Sequence, residues 1–564
     1  MRTLVIFLAI TLGIYAALPA QIQAQLNKSG ISKNEVAVYI KEVGGREIAT
    51  FNATKTMVPA SVMKVLTTYS SVLTLGFDYR WPTQFYTSGT LQNGVLKGDL
   101  VVRAFGDPSL GSEDLDDIVN QIRNSGIREI RGNIIIDRSY FKVGNKDTSG
   151  FDENLYSPYN AMPDAMMFEE RVSTICVAPK ENRVSQKNVD YSYKIVNKLQ
   201  RVNTPCQGRY SWPYVRVYRN EAVPLVLLQG KISSRCGERR ICQVLTKPYK
   251  SFYYALKDAL SRDGVKVHGG LKLAKVPRDA NILFVHYSEP LEKIVSKTAK
   301  ESDNLYARHL MLLLGAKMYG APATLDKGRS AIINILRSKG VIRNGVVKVD
   351  NGCGLSHISK LNAKILGDVL DDAYARYGER WMNTLSIGGV DGTIKARFRG
   401  TTADRHSWMK TGTLKRVKNI AGYVRNRAGK LYNVVILVNS NKGNWRAVQF
   451  QNEVIKWLAG TTSAPQAQPS RAKQQSDEDE PKYVSHETPQ SVAQNGYGIQ
   501  VGSFMNEPST SYLARIRQAG FSYVIVRKDI YKVLIGPYRD ETSAKNALER
   551  VRQRLNKGAF VIRY

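Results

Sequence analysis

Histidine is scarce in this chain: six residues in 564, scattered at positions 268, 286, 309, 357, 406 and 486, with no His-Glu-x-x-His pattern. Cysteine is as sparse, with five residues and no Cys-x-x-Cys pair. A zinc site therefore lacks closely spaced ligands, and neither a metal nor any other cofactor is assigned. After the first residues no apolar run reaches membrane-spanning length. Acidic residues are also few, 48 Asp and Glu against 82 Lys and Arg, which leaves a formal net charge of +34. That balance implies a polyanionic setting, and nucleic acid, an anionic membrane face and a cell-wall polymer all qualify. What is plentiful is apolar side chain, 43% of the residues, enough to build cores. A chain of this length divides into about three or four compact units.

The first residues narrow the setting. MRTLVIFLAITLGIYAALPAQIQAQ has a basic start at Arg2, an apolar run from Leu4 to Leu18 and small or polar residues after it. This pattern predicts a Sec-type signal peptide over 1–24, cleaved after Ala24. A membrane anchor is the competing reading, but the run is short for a span. With export, nucleic acid drops out as an expected partner. An oxidising compartment permits two disulfides among Cys176, Cys206, Cys236 and Cys242, with Cys236 and Cys242 close enough for a small loop, and leaves Cys353 free.

EVAVYIKEVGGREIATFN alternates apolar and polar residues around Gly44-Gly45 and predicts a β-hairpin. A helix-like run follows, to about Gly76. Many short β-like runs then fill 81–280, among them GVLKGDLVVRAFGD and PLVLLQGKI. Helical patterns return from about 290 to 385. RHSWMKTGTLKRVKNIAGYVRNRAGKLYNVVILVN predicts three adjacent antiparallel strands with a turn at Asn426 to Gly429, and a final helix ends near 460. The order predicts one α/β domain, 27–80 plus 281–460, split by a mostly β insertion. Residues 461–493 are rich in Pro, Gln, Ser and charge and read as a flexible linker. The remaining 494–564 give a β-α-β-β-α-β order, which fits a small ferredoxin-like α+β sheet covered by two helices.

Chemistry concentrates in three short motifs in fixed order. TMVPASVMKVLTTYSSVLTLG places Ser61 and Lys64 three apart at a helix start; Ser302-Asp303-Asn304 opens a second helix; Lys410-Thr411-Gly412 opens a strand run. Each has a bland reading alone, as helix start, helix cap or strand entry. Together they match the signature of serine β-lactamases and penicillin-binding proteins. On a helix, positions i and i+3 share a face, so Lys64 can reach the Ser61 hydroxyl. A serine becomes nucleophilic when a neighbouring base takes its proton, and burial beside a second cation, Lys410, lowers a lysine pKa enough to make it that base. Ser302 can relay a proton to a leaving amine, and Asn304 can bond Lys64 and a substrate amide. Lys410 and Thr411 can hold a terminal carboxylate, and Gly412 would let substrate lie along the strand edge. The N–H groups of Ser61 and Thr413 would form the oxyanion hole, with Thr413 also lining the substrate strand.

At these residues the chain resembles the class C low-molecular-mass penicillin-binding proteins, serine-type D-alanyl-D-alanine carboxypeptidase/endopeptidases. FGDPSL (Gly106, Asp107, Pro108), VDNGCGLS (349–356) and GGVDGTIKARF (388–398) are similar to family stretches, and the likeness covers about 27–460. It implies Ser61 as acylated nucleophile, Lys64 as base, Ser302 and Asn304 as a second wall and Lys410 as carboxylate anchor. Peptidoglycan stem peptides are the implied substrate and β-lactams the implied inhibitors. Two departures stand out. Cys353 occupies a place where the family often has serine, which puts a thiol near the site. The segment GFDENLYSPYNAMPDAMMF replaces a tryptophan-containing version that contacts the diaminopimelate side chain; Asp152 is its candidate ligand for the substrate's side-chain amine, or simply a solvated loop carboxylate. The tail resembles a SPOR domain through GIQVGSF (498–504) and YKVLIGPYRD (531–540). That family binds glycan strands stripped of stem peptides. Alternation along a strand puts the candidate glycan-binding residues Gln500 and Gly502 on one face.

The combined expectation is an exported, periplasmic D-Ala-D-Ala carboxypeptidase, endopeptidase activity included as a possibility, with a tail that enriches it at the division septum. A serine β-lactamase is the nearest alternative, although the second carboxylate base of class A enzymes, in Glu-x-x-Leu-Asn, has no counterpart. A non-catalytic wall-binding scaffold with relic motifs is the alternative from another class.

Overall fold

The strand Leu431–Asn439 is apolar at nearly every position because it is covered on both faces. Val434, Ile436 and Val438 point into one buried cluster, while Val435 and Leu437 point into another. Val36–Glu42, its antiparallel neighbour, divides in the same way, with Val36, Val38 and Ile40 on one side and Ala37 and Tyr39 on the other. The computed structural model describes residues 18–144, 157–218, 223–443, 445–463, 497–504, 508–527, 531–538, 540–556 and 558–563. The chain divides into two units, Met1–Arg471 and Ala472–Tyr564.

In the first unit a six-stranded antiparallel sheet runs in the order Ser386–Ile387, Ser407–Leu414, Val417–Arg425, Leu431–Asn439, Val36–Glu42, Glu47–Phe51. The hairpin expected around Gly44-Gly45 and the three strands expected after residue 406 are all present. Helices Met63–Leu75, Leu291–Lys300, Asn304–Tyr319, Leu325–Ser338 and Ala363–Met382 supply the larger cluster on one face. Ala20–Ser29 and Trp445–Gly460 cover the other face. Trp381 is fully buried, and its indole N–H donates to Tyr423 Oη at 3.1 Å, which in turn donates to Leu370 O at 2.6 Å. The pair satisfies both polar handles of two large core rings.

The helix Ala20–Ser29 runs across the expected cleavage point at Ala24, and its Ile22 and Leu26 are both buried. Cleavage there would remove Ile22 from the cluster and leave Leu26.

A mixed seven-stranded sheet forms the first part of the insertion, from Pro82–Gln92 to Asn281–Tyr287. The inserted region therefore extends past the boundary expected at residue 280. Leu115, Ile118, Val119 and Ile122 recur at helical spacing on Leu115–Asn124 and pack with helix Pro248–Arg262 over this sheet. Two three-stranded sheets form the second part, one of Ser173–Ala178, Arg183–Gln186 and Arg239–Gln243, the other of Lys194–Val202, Tyr214–Tyr218 and Leu225–Ser233. They share a small core that includes Ile175, Val226, Leu228 and Ile241. The cysteines correct the expectation. One disulfide forms, Cys206–Cys236, and Cys176, Cys242 and Cys353 are free. Cys242 cannot close a short loop with Cys236 because it is laid into a strand opposite Thr174.

The second unit has the expected β-α-β-β-α-β order, from Tyr497–Phe504 to Phe560–Arg563, in a four-stranded antiparallel sheet. One detail differs. A bulge between Gln500 and Gly502 sets Gln500 opposite Leu534 and Gly502 opposite Val533, a core residue. A Cβ at Gly502 would meet Phe504 and Tyr512, each at 2.6 Å. The extra residue reverses the alternation, so Gln500 and Gly502 do not share a face. The linker expected at 461–493 lies outside the described residues from 464 onward.

Candidate active site

Ser61 sits in a single 3-10 turn, Ala60–Val62, that feeds directly into helix Met63–Leu75. Ala60 has a φ of 50°, a left-handed conformation that turns the chain sharply just before the serine. One helical turn later, Lys64 is fully buried. Its Nζ contacts three oxygens: Ser61 Oγ at 3.1 Å, Asn304 Oδ1 at 2.7 Å and the Cys353 carbonyl at 2.7 Å. Burial lowers its pKa to about 8; the negative charge of Asp303 opposes the shift and Arg308 adds to it. In its neutral form the amine has two N–H bonds and one lone pair. With Asn304 Oδ1 and the Cys353 carbonyl accepting the two N–H groups, the lone pair is left facing the Ser61 hydroxyl.

The second wall is a break between helices. Leu291–Lys300 ends, Ser302 takes a φ of 62°, and Asp303 caps the helix Asn304–Tyr319 by accepting from Tyr306 N at 2.9 Å. The capping role and the catalytic placement coexist: capping fixes Asp303, which leaves its neighbours Ser302 and Asn304 turned to the two lysines. Asn304 Nδ2 donates to the Tyr159 carbonyl at 3.1 Å, so that amide is already engaged within the protein.

The third wall is the strand Ser407–Leu414. Lys410 is fully buried and donates to Ser302 Oγ at 2.8 Å and to Thr411 O at 2.9 Å. Burial pushes its pKa well below the ordinary lysine value, and the positive charge of Lys64 adds to the shift. Ser302 and Asn304, two residues apart, thus each contact one of the two lysines. Gly412 also has a packing role. A Cβ there would lie 2.8 Å from Pro59 O and 3.0 Å from Ser61 N, so glycine lets the strand pack against the serine turn itself. Thr413 is exposed beyond it and pairs across the sheet with Lys418. Among the described residues, this strand's outer edge is taken up by Ser386–Ile387 at Trp408 and Met409 and by Gly388 N, which donates to Ser407 O at 2.9 Å. From Lys410 onward that edge is free to take an extended peptide.

Several groups were not legible from residue type. The Cys353 carbonyl is a main-chain atom. The loop carrying it is tied down by Thr67 Oγ1, which donates to Gly352 O at 2.7 Å, and by Asn351 Oδ1, which accepts from Gly354 N at 3.0 Å and Cys353 Sγ at 3.2 Å. Gly354 has a φ of 79°, and a Cβ on it would come within 1.9 Å of Ala60 O. The expected thiol near the site is present, buried and free, but it is the carbonyl that contacts Lys64. Thr393, inside the quoted stretch GGVDGTIKARF, meets Thr411 hydroxyl to hydroxyl at 2.9 Å. Asp107 lies in a buried turn where it accepts from Ser109, and burial raises its pKa to about 6. Asp152 lies outside the described residues.

A buried Ser-x-x-Lys turn faced by Ser-x-Asn and Lys-Thr-Gly walls, on an antiparallel sheet covered on both faces, defines the serine penicillin-recognising hydrolases. Residues 18–461 match the D-Ala-D-Ala carboxypeptidase 3 (S13) family and residues 493–563 match the SPOR domain. The chain belongs to that carboxypeptidase family and is a serine-type carboxypeptidase, a hydrolase. It is 28% identical over 411 residues to the D-alanyl-D-alanine carboxypeptidase DacB of Haemophilus influenzae, across 70% of this chain and 82% of that protein. It is 26% identical over 438 residues to the D-alanyl-D-alanine carboxypeptidase of an Actinomadura species, across 75% and 80%. The fold is similar to the crystal structure of penicillin binding protein 4 from Haemophilus influenzae, with a TM-score of 0.65 at 24% identity, covering 78% of this chain and 99% of that one. The same protein complexed with a β-lactam gives a TM-score of 0.61 at 22% identity, with 78% and 100% covered.

Proposed function

We propose that the chain hydrolyses the terminal D-Ala-D-Ala bond of peptidoglycan stem peptides through an acyl-enzyme on Ser61. The observation that carries this is the three-oxygen environment of Lys64, which leaves the lone pair of the neutral amine no partner but the Ser61 hydroxyl. Lys64 takes the Ser61 proton as Oγ attacks the penultimate carbonyl carbon. The N–H groups of Ser61 and Thr413 stabilise the oxyanion. The C–N bond then breaks, and the departing D-alanine amine receives, through Ser302, the proton that Lys64 took, which restores the neutral lysine. Water, deprotonated by Lys64, attacks the ester carbonyl; the Ser61 C–O bond breaks, the proton passes from Lys64 to Ser61 Oγ, and the shortened peptide leaves. Lys410, with Thr411 and Thr413, anchors the substrate's terminal carboxylate; that anion supplies the counter-charge that burial denies Lys410 in the free enzyme.

β-Lactams acylate the same serine. Among the described residues no carboxylate hydrogen-bonds Ser61 or Lys64, which favours a long-lived penicilloyl-enzyme over β-lactamase turnover. Export through the N-terminal segment puts the enzyme where its substrate is. The SPOR tail holds denuded glycan at the septum, and a flexible tether raises the local substrate concentration. Cleavage of peptide cross-links uses the same acyl-enzyme chemistry. Mass spectrometry of products from purified muropeptides tests the reading: loss of a single alanine from pentapeptides supports it, conversion of cross-linked dimers to monomers adds the endopeptidase, and recovery of both substrates intact contradicts it.

A further inference from the structure

The outer sheet of the inserted sandwich has a solvent face with an unusual composition. Its strands are Lys194–Val202, Tyr214–Tyr218 and Leu225–Ser233, and none of them contains Asp or Glu. Val215, Val217, Val226 and Leu228 point inward to the small core. The opposite parity of Tyr214–Tyr218 therefore lines up Tyr214, Arg216 and Tyr218 on the outside. Tyr214 is 60% exposed and Trp212, two residues ahead of it, 55%. Lys194 and Lys198 add positive charge on the far strand, both exposed.

Edge strands often carry basic side chains to block unwanted pairing, and that would account for the charges. It does not account for the exposed rings of Tyr214 and Tyr218 on the same face. Nor are those rings loose. Arg216 lies 5.6 Å from the centre of the Tyr218 ring, and Trp212, just ahead of the strand, is braced at 5.4 Å by Arg239 of the facing sheet. Arg239 is itself held, with Nε donating to Ser211 O at 2.7 Å. The Cys206–Cys236 disulfide pins the same loop, with Cys236 Sγ 3.6 Å from Tyr210 O. Two exposed rings beside cations, on a strand whose entry loop is pinned, suit a ligand that has flat apolar faces and negative charge.

We propose that this face is a second, non-catalytic binding site for peptidoglycan strands that still carry stem peptides: sugar rings stack on Tyr214 and Tyr218, and stem-peptide carboxylates pair with Arg216, Lys194 and Lys198. The charge complementarity decides the occupant. Guanidinium and ammonium groups answer carboxylates, and aromatic rings answer the apolar faces of sugars. Tyr214 to Tyr218 spans roughly 13 Å of strand, enough to meet more than one ring of an extended polysaccharide. The proposal rests on the reading that the enzyme works on wall peptides, and it gives the insertion a role in engaging undegraded wall.

The test is sedimentation of the full chain with purified sacculi whose stem peptides are intact. Two variants are compared with the unaltered protein, Tyr214→Ser/Arg216→Gln/Tyr218→Ser and Lys194→Gln/Lys198→Gln. The first is expected to bind about tenfold more weakly. The second is expected to bind more weakly at low salt and to lose part of the salt dependence. Both should release D-alanine from a soluble peptide at the unaltered rate. Equal binding by all three proteins overturns the proposal, as does weakening in the first variant alone, which would point to local misfolding. Variants that lose binding to vesicles of anionic phospholipid, but not to sacculi, also overturn it. Failure of the carboxypeptidase reading would appear separately, as absence of D-alanine release by the unaltered chain.

Discussion

Lys64 is buried, and among the described residues no carboxylate hydrogen-bonds it, so its charged form is the costly one. Its pKa is lowered to about 8, against an ordinary value of 10.5. Two consequences follow from the sign of that shift. Acylation by penicillin should accelerate as pH rises through about 8, because the neutral amine is the base; a stopped-flow profile flat from pH 6 to 9 would contradict this. Folding stability should also gain between about 8 and 10.5, where the unfolded chain still binds the proton and the folded one does not. Lys64→Gln should slow acylation by about 10²–10⁴-fold, the usual worth of a positioned base. Gly354→Ala is the sharper structural probe. Its Cβ would come 1.9 Å from Ala60 O, so the serine turn must shift, and penicillin labelling should be lost although no reacting side chain has changed. Normal labelling of that variant would show that the loop carrying Cys353 does not position Ser61.

At the scale of elements, the three motifs were legible because each is contiguous and each spacing is fixed by its own helix turn or strand. The hairpin at Gly44-Gly45 and the three strands from Ser407 to Asn439 were legible for the same local reason. What escaped the sequence was information that no residue type carries. The Cys353 carbonyl leaves no trace in composition, and the bulge that separates Gln500 from Gly502 changes parity without changing a letter. Cysteine spacing did not yield pairing either. Cys236 and Cys242 are near in sequence, yet the fold commits Cys242 to a strand and brings Cys206 to Cys236 across 30 residues. Closing a loop of that length is worth about 3.7 kcal/mol. Cys206→Ser/Cys236→Ser should lower the stability of the sandwich by that order in urea unfolding and leave penicillin labelling intact. Loss of labelling in that variant would show that the insertion and the catalytic sheet unfold as one.

At the scale of the whole molecule, a catalytic unit and a SPOR unit are joined by a segment poor in core-forming residues. The net charge of +34 suits both to an anionic polymer. Truncation after residue 463 should leave turnover of a soluble peptide unchanged and weaken binding to stem-peptide-free glycan; unchanged glycan binding would deprive the tail of its targeting role. The central claim concerns one atom, Ser61 Oγ, and a direct measurement addresses it. The protein is incubated with penicillin, digested and analysed by mass spectrometry, alongside Ser61→Ala. The expected result is a penicilloyl adduct on the peptide that contains Ser61, with neither adduct nor D-alanine release in the variant. An adduct on any other residue, or D-alanine release by Ser61→Ala, would contradict it.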